Sequence, residues 1–261
     1  MAKKKNIGDI SFHILNYLLF FVLVFVSLYP FYYIFIYSLS DPQLSSRGIF
    51  LLPVGLTLEN YAKILARKEI YGAMLVSFLR TVAGTVVTVF CCALFSYVLT
   101  KKELYCRKLI YRLLIVTMYL NAGLIPTYLT IRAFGLRNNF LVYILPAAIN
   151  AFYVVLIKTY MESLPDSLEE SAMLDGAGYF TVFMRVVFPL CSSIMATVAV
   201  FSSVGQFNSW FDTYIYASQT PSLHTLQYLL LSYLQEAQKL ADLVQNTATT
   251  SGTGTDRKSV V

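Results

Sequence analysis

Five predominantly apolar stretches of this 261-residue chain contain no Asp, Glu, Lys or Arg, and each has the length that a helix needs to cross a lipid bilayer. They are residues 14–40, 81–100, 113–131, 138–157 and 186–211, which hold 27, 20, 19, 20 and 26 residues. About 20 apolar residues cover roughly 30 Å of bilayer hydrocarbon, because an α-helix rises about 1.5 Å per residue. The pattern predicts an all-α fold, a polytopic membrane helix bundle with five spans.

The composition agrees with this class. Hydrophobic residues make up 57% of the chain and charged residues only 13%, about half the usual share of a soluble domain. We expect a cytoplasmic N-terminus at 1–13, a transmembrane domain at 14–217, an outer segment at 218–245 and a disordered or artefactual tail at 246–261. The predicted spans are about 14–39, 73–100, 110–131, 139–160 and 190–212.

Basic residues set the orientation of these spans. Lys3, Lys4 and Lys5 precede the first span, and a second basic group follows the second span at 101–112. The positive-inside rule places both in the cytoplasm, which also puts the segment at 163–189 there. Arg80, the single charge early in the second span, is expected to snorkel to the outer interface. The net charge of +6 then reflects loop orientation, and nucleic acid is not an expected partner.

Nothing in the sequence indicates an enzyme. The glycine-rich stretch "GTGTDRKS" near the C-terminus lacks the spacing of a phosphate-binding loop, so ATP hydrolysis is not expected in this chain. The spans hold no paired carboxylates or histidines for acid–base or metal chemistry. We expect no catalytic residue, no metal and no cofactor. The four cysteines fall in spans or the cytoplasmic loop and are expected to be reduced.

A polar segment separates the last two spans. Asp166 and Glu169 have the spacing of a capping box, and the apolar residues Leu168, Ala172 and Met173 follow at helical spacing. Gly176 and Gly178 are expected to end this helix, since glycine adopts the left-handed conformation at little cost. A second helix is expected from Tyr179, with Pro189 at the entry to the fifth span. Five of the fourteen acids lie in this region, which favours a protein partner over an anionic membrane surface.

At these residues the chain resembles a known family. Glu170-Ser171-Ala172, then Gly176, then nine residues before Val186-Val187-Phe188-Pro189 is similar to the E-A-A, three residues, G, nine residues, I-x-L-P loop of the permease subunits of binding-protein-dependent ABC importers. Ser171, Val186 and Phe188 depart mildly from that pattern. The stretches "DGAG", "GLIPTYLTIRAFGL", "SLPDSLEESA" and "NSWF" are similar to the carbohydrate permeases of the maltose type, including those that import complex oligosaccharides. The likeness covers roughly residues 10–235.

The resemblance implies a transmembrane permease in the bacterial plasma membrane, surrounded by membrane lipid. It implies a second permease subunit, two ATP-binding subunits, an extracytoplasmic solute-binding protein and an oligosaccharide substrate. Residues 163–189 would form a coupling loop seated on the ATPase. The expected coupling residues are Glu169, Glu170, Ala172, Asp175, Gly176, Ala177 and Pro189. An ordinary cytoplasmic hairpin without a partner is the alternative.

Polar residues in the spans are candidates for the substrate path. Amide groups could meet sugar hydroxyls there, and an indole ring could stack on a pyranose. The candidates are Gln206, Asn208, Trp210, Asn121 and Asn150. Hydrogen bonding between helices, as packing, is at least as good an explanation.

The C-terminal part lacks a sixth span, although the maltose-type permeases have six. The run at 226–234 is too short to cross a bilayer, and "DRKSVV" at 256–261 matches the translation of a sequencing-library adapter. We therefore expect a C-terminally truncated permease, with a natural disordered tail as the alternative. A membrane sensor or scaffold with a docking hairpin remains the second functional hypothesis, and a permease for amino acids or peptides is the competing substrate class.

Overall fold

The computed structural model describes residues 7–41, 44, 52–120 and 122–253. Its secondary structure is helical throughout these ranges, which confirms the predicted all-α class. The helices in chain order are α1 (Ile7–Ser38), α2 (Glu59–Leu65), α3 (Lys68–Thr100), α4 (Arg107–Tyr119), α5 (Leu124–Ala133), α6 (Ala151–Met161), α7 (Asp166–Leu174), α8 (Tyr179–Leu190), α9 (Ser192–Asn208), α10 (Phe211–Tyr216) and α11 (Leu226–Thr253). Short 3-10 helices occupy Phe140–Tyr143, Leu145–Ala147 and Pro221–Leu223.

The helices allow between two and five membrane spans, depending on whether each bent helix pair is taken as one span; the upper number is the predicted five. Ser11–Ser38 and Lys68–Thr100 are long and apolar enough to cross a membrane by length and composition. Three bent helix pairs pass the same test when each pair is taken as one span: α4 with α5, Phe140–Ala147 with α6, and α8 with α9. The last two pairs bend by 47° and 80°, and Pro146 and Pro189 lie just before these bends.

The chain divides into two units, residues 1–68 and 69–261. In the first unit, the segment after α1 folds back onto its C-terminal end. The backbone N–H of Thr57 donates to the carbonyl of Leu39 at 2.9 Å, and the Asn60 side chain donates to the carbonyls of Ser38 and Ser40 at 3.1 Å. These bonds satisfy carbonyls that the helix end would otherwise leave unpaired.

In the second unit, the unbroken 33-residue helix α3 contributes to a core that also includes side chains from α6, α8 and α9. One of its faces is buried and consists largely of small or polar residues, which allow helices to approach closely in a membrane. Ser96 donates from its hydroxyl to the Val154 carbonyl of α6 at 2.9 Å, and Thr88 donates to the Ala147 carbonyl at 3.0 Å. These bonds fix α3 against the bent fourth span.

The C-terminal region is helical beyond the boundary expected for its tail. A disordered or artefactual tail was expected from 246, but one helix, α11, runs from Leu226 to Thr253. Its first turns are partly buried and its later apolar side chains, such as Leu240 and Leu243, are exposed. Residues of high helix propensity such as Gln, Glu, Ala, Lys and Leu are frequent at 235–243 and extend the helix past its packed part, whereas the final stretch at 246–253, NTATTSGT, has no such propensity. Residues 254–261, including the adapter-like stretch, lie outside the described ranges.

Candidate functional site

The segment at 163–189, called the hairpin from here on, is a helix, a tight turn and a second helix. Helix α7 ends in a Schellman motif. The N–H of Ala177 donates to the carbonyl of Ala172 at 3.1 Å, and the N–H of Gly176 donates to the carbonyl of Met173 at 3.0 Å. Gly176 has a φ of +84°, the left-handed conformation that glycine adopts without strain. Gly178 has an ordinary negative φ, so only the first of the two predicted stop glycines has the left-handed conformation.

The expected coupling residues divide into two groups by exposure. Glu170, Asp175, Gly176 and Pro189 are exposed, whereas Glu169, Ala172 and Ala177 are half-buried. Ala172 and Ala177 pack against the main core beside Met173, so these alanines hold the hairpin to the bundle. Leu174, directly before the turn, is a highly exposed apolar residue, with 89% of its surface accessible. Sequence reasoning did not single out this residue, although a leucine directly before an aspartate–glycine turn is the available signal.

The predicted capping box is wrong. Helix α7 begins at Asp166 after Pro165, and no side chain caps its N-terminus. Glu169 instead points to the loop after α3, where its carboxylate pairs with Lys101 and accepts a hydrogen bond from the Tyr97 hydroxyl at 3.5 Å. A long-range ion pair stabilises the carboxylate more than a hydrogen bond from a single backbone N–H does. The tertiary contact with Lys101 therefore overrides the local capping pattern.

Two further ion pairs connect the same loop to the hairpin and its approach. The Lys102 ammonium nitrogen lies 3.5 Å from a carboxylate oxygen of Asp166, and a guanidinium nitrogen of Arg107 lies 3.9 Å from a carboxylate oxygen of Glu162. A cavity of about 410 Å³ lies among these residues and the apolar side chains at the base of the hairpin. Glu170 lines this cavity too. The hairpin is thus attached by charge pairs at its base and exposed at its turn.

A second, polar cavity of about 240 Å³ lies beside the middle of α3. Its lining residues are Arg80, Thr88, Pro146, Ala147, Ile149, Asn150, Tyr153, Ser202, Gly205, Gln206, Ser209 and Asp212. Two of the predicted path residues, Gln206 and Asn150, are therefore brought together here. Within the described ranges, no three His, Cys, Asp or Glu side chains cluster closely enough to hold a metal ion.

The remaining path residues lie elsewhere. Asn208 accepts a hydrogen bond from Gln227 at 3.2 Å, and Trp210 packs edge-on against Phe211 and Tyr214. Asn121 lies outside the described residues. Asn150 also has a structural task, because its side-chain oxygen accepts from the backbone N–H groups of Phe152 and Tyr153 and so caps α6.

The snorkelling expected of Arg80 is wrong. Its surface is only 2% accessible, and its guanidinium donates to the Gln206 side-chain oxygen at 2.9 Å and the Ser209 carbonyl at 3.1 Å. It also pairs with Asp212 and lies 4.5 Å over the Tyr143 ring. Arg80, Gln206, Ser209 and Asp212 are called the Arg80 cluster below. A buried guanidinium is stable only when its donors are paired, and these partners pair them.

Helix packing around the Arg80 cluster is close. A Cβ added at Gly84 would lie 2.7 Å from the Gln206 amide nitrogen, so only glycine leaves room for this side chain. The Gln206 amide also donates to the Tyr143 carbonyl at 3.3 Å. Gln206 is therefore held on several sides. Sequence reasoning did not predict that Arg80 and Asp212 pair with each other, although two opposite charges near the outer ends of predicted spans were a usable signal.

Comparison with known proteins gives relatives of one kind. The chain is 34% identical to Protein LplC of Bacillus subtilis (strain 168) over 219 residues, 84% of this chain and 72% of that protein. It is 33% identical over 208 residues to the polygalacturonan/rhamnogalacturonan transport system permease protein YtcP of the same organism, 79% of this chain and 72% of the relative. No protein-family model matches.

A solved structure has the same fold. In the crystal structure of a bacterial ABC transporter involved in the import of the acidic polysaccharide alginate, one chain matches with a TM-score of 0.81 and 29% sequence identity. The match covers 88% of this chain and 82% of that one.

Proposed function

The chain belongs to the permease proteins of carbohydrate ABC transporters, and we propose that its hairpin passes the motion of a cytoplasmic ATPase to spans that line an oligosaccharide path. It is a membrane-embedded transport component, and ATP hydrolysis belongs to the separate ATPase subunit. Permeases of ABC importers in general act with a partner permease, an ATPase and a solute-binding protein.

The complete assembly that we propose has one copy of this chain, one second permease, two ATP-binding subunits and one extracytoplasmic solute-binding protein. It resides in the bacterial plasma membrane, with the hairpin on the cytoplasmic side. This chain has no enzymatic activity of its own in the proposal. The positive residues at 101–112, beside the hairpin, support this orientation because basic loops remain in the cytoplasm.

The single observation that supports the coupling role is the exposure of the hairpin turn. Leu174 and the neighbouring Phe180 project large apolar surfaces, while Ala172 and Met173 anchor the same hairpin in the core. A large apolar side chain at a rigid turn is a favourable contact for a partner protein. Glu170, Asp175 and Gly176, all exposed, complete the contact, and Pro189 begins the turn into the fifth span.

For the substrate path, the polar cavity offers amide and hydroxyl groups of the kind that recognise sugar hydroxyls. Gln206, Asn150 and Ser202 line it, and the Tyr153 ring provides an apolar face for a pyranose. Asn208 and Trp210 lie farther along the fifth span and extend the proposed path outward. YtcP is named for polygalacturonan and rhamnogalacturonan, and the matched crystal structure for alginate. An oligosaccharide is accordingly the substrate class we propose.

Site-specific photo-crosslinking in the assembled transporter tests the coupling role. A photoreactive phenylalanine analogue replaces Leu174 in cells that express the complete set of subunits. The matched control places the same analogue at Phe134, another highly exposed apolar residue, directly after α5. We expect an adduct with the nucleotide-binding subunit from position 174 and none from position 134.

Adducts of 174 with other proteins only, or adducts with the ATPase from both positions, would contradict the proposal. Uptake measured in the same cells separates the alternatives: a sensor or scaffold gives no ATP-dependent uptake. Uptake of amino acids or peptides in place of oligosaccharides would overturn the substrate class.

A further inference from the structure

The ion pairs at the base of the hairpin differ in their surroundings. Lys102 and Asp166 are 83% and 79% exposed, as side chains in solvent are. Lys101 and Glu169, which form the neighbouring pair on the same two elements, are only 18% and 27% exposed. An exposed pair contributes little because solvent screens it, whereas a sheltered pair with fixed partners is strongly coupled.

Aromatic rings hold the sheltered pair in place. The Lys101 ammonium lies 4.0 Å from the centre of the Tyr97 ring and 5.8 Å from that of Tyr179. The Tyr97 hydroxyl donates to Glu169, and its ring lies 5.2 Å from that of Phe183 inside the main core. Tyr97, Lys101, Glu169 and Tyr179 are called the Lys101 cluster. It joins both helices of the hairpin to the end of α3.

We infer that Glu169 and Lys101 are positioning residues that fasten the hairpin to the second span, so that motion of the hairpin is passed to α3. This inference rests on the proposed coupling role, and it differs from the family resemblance at one residue. The resemblance placed Glu169 among residues that contact the ATPase. In the structure, this carboxylate points toward the permease's own loop and is engaged there.

The second span is suited to transmit such motion because α3 is one continuous helix. It ends at Thr100, directly before Lys101, and its buried Arg80 belongs to the cluster beside the polar cavity. Arg80 and Lys101 are 21 positions apart in the sequence, which corresponds to about 30 Å of helix at about 1.5 Å per residue. A displacement applied at Lys101 therefore reaches the cavity as a rigid-body movement of one element.

Charge reversal in the reconstituted transporter tests this connection between the hairpin and α3, called the joint below. Glu169→Lys and Lys101→Glu are made singly and together in the complete complex in proteoliposomes, and oligosaccharide uptake and ATP hydrolysis are both measured. We expect each single reversal to lower uptake per ATP hydrolysed by roughly tenfold, and the double reversal to restore at least about a third of it, because contacting residues are coupled.

The matched control is the exposed pair. Asp166→Lys and Lys102→Glu, singly and together, reverse the same charges on the same two elements, and each should leave the uptake-to-hydrolysis ratio within about twofold of the unmodified complex. Lys101→Arg keeps the charge and the position over the Tyr97 ring, so it should also retain transport. If Glu169→Lys does not assemble, Lys101→Glu and Lys101→Arg test the same pair from outside the hairpin.

Crosslinking from position 174 separates this inference from the coupling role itself. A retained ATPase adduct in Glu169→Lys, together with lost uptake and recovery in the double reversal, supports the joint. Loss of the adduct in Glu169→Lys without recovery in the double variant would assign Glu169 to the ATPase contact and overturn the inference. Normal uptake in both single variants would overturn it as well. Absence of the adduct in the unmodified protein would instead refute the proposed coupling role.

Discussion

The middle of α3 and its C-terminal end hold similar charge pairs in unlike surroundings. In the middle, Arg80 pairs with Asp212 and lies over the Tyr143 ring; directly after the C-terminal end, Lys101 pairs with Glu169 and lies over the Tyr97 ring. Arg80 is buried and also donates to an amide oxygen and a backbone carbonyl, whereas the Lys101 pair is partly open to solvent.

This difference indicates how each pair behaves. A buried guanidinium with several fixed acceptors is costly to separate from them, because the charge would remain without partners in a medium of low dielectric constant. The Lys101 ammonium is sheltered by the Tyr97 ring but partly accessible, so separating it from Glu169 costs less than separating Arg80 from its acceptors and more than separating the exposed Lys102 from Asp166. The Arg80 cluster therefore fixes the helices around the cavity, and the Lys101 cluster forms a joint that can transmit movement.

Removing the acid from the Arg80 cluster should have the largest effect. Asp212→Asn keeps the shape and an acceptor but leaves the Arg80 charge unbalanced, at a cost of about 3 kcal/mol, the low end for a broken buried pair because Asp212 is 34% exposed. Thermal denaturation of the detergent-solubilised protein measures this loss. The double variant Arg80→Met/Asp212→Asn should recover part of it, and a double variant less stable than Asp212→Asn would show that the charge imbalance is not the cause.

Filling the space at Gly84 should have the next largest effect. Gly84→Ala places a methyl group within 2.7 Å of the Gln206 amide, which must move away from Arg80 or Tyr143, and we expect a loss of about 1–3 kcal/mol. The matched control is Gly205→Ala on α9, where a Cβ meets no atom within 4 Å. The same thermal measurement checks both, and equal stability of the two variants would show that the close approach is unimportant.

A bulky residue at the hairpin turn should affect transport more than stability. Gly176→Val puts a β-branched side chain at a φ of +84°, which costs about 1–2 kcal/mol and distorts the turn beside Leu174. Uptake should be lost while the amount of protein in the membrane is retained. Gly178→Val, at a negative φ with open space around it, should transport normally. Full uptake by Gly176→Val would argue against a coupling role for the turn.

The smallest effect is expected at the exposed pair. Lys102→Ala removes an ion pair that solvent screens, and its stability should change by less than about 0.5 kcal/mol. Lys101→Ala should cost clearly more in the same thermal assay, since the sheltered pair and its contact with the Tyr97 ring are both lost. Equal losses of thermal stability in Lys102→Ala and Lys101→Ala would contradict the distinction between the exposed and the sheltered ion pair.

Sequence reasoning identified the all-α membrane class, because apolar composition over about 20 residues is a local property. It also identified the turn at Gly176, since a left-handed residue after a helix favours glycine. It was wrong about the Asp166 capping box and about Arg80, and for the same reason in both cases. The decisive partners, Lys101 for Glu169 and Asp212 for Arg80, are distant in sequence and no local spacing indicates them.

The candidate path shows the same limit. Gln206 and Asn150 were both predicted as path residues because they are polar residues in apolar spans, but their common cavity depends on how α3, α6 and α9 pack. The packing of Ala172 against the main core likewise depends on side chains from other helices.

By itself, the sequence determined that the chain is a helical membrane protein and that a glycine turn lies at Gly176, because these depend on hydrophobicity and backbone preference over short distances. Only the tertiary structure decided which charges are buried, which acid faces its own chain and which polar side chains share a cavity. Electrostatic pairing and close packing join residues that are far apart along the chain, so their outcome depends on the assembled helices.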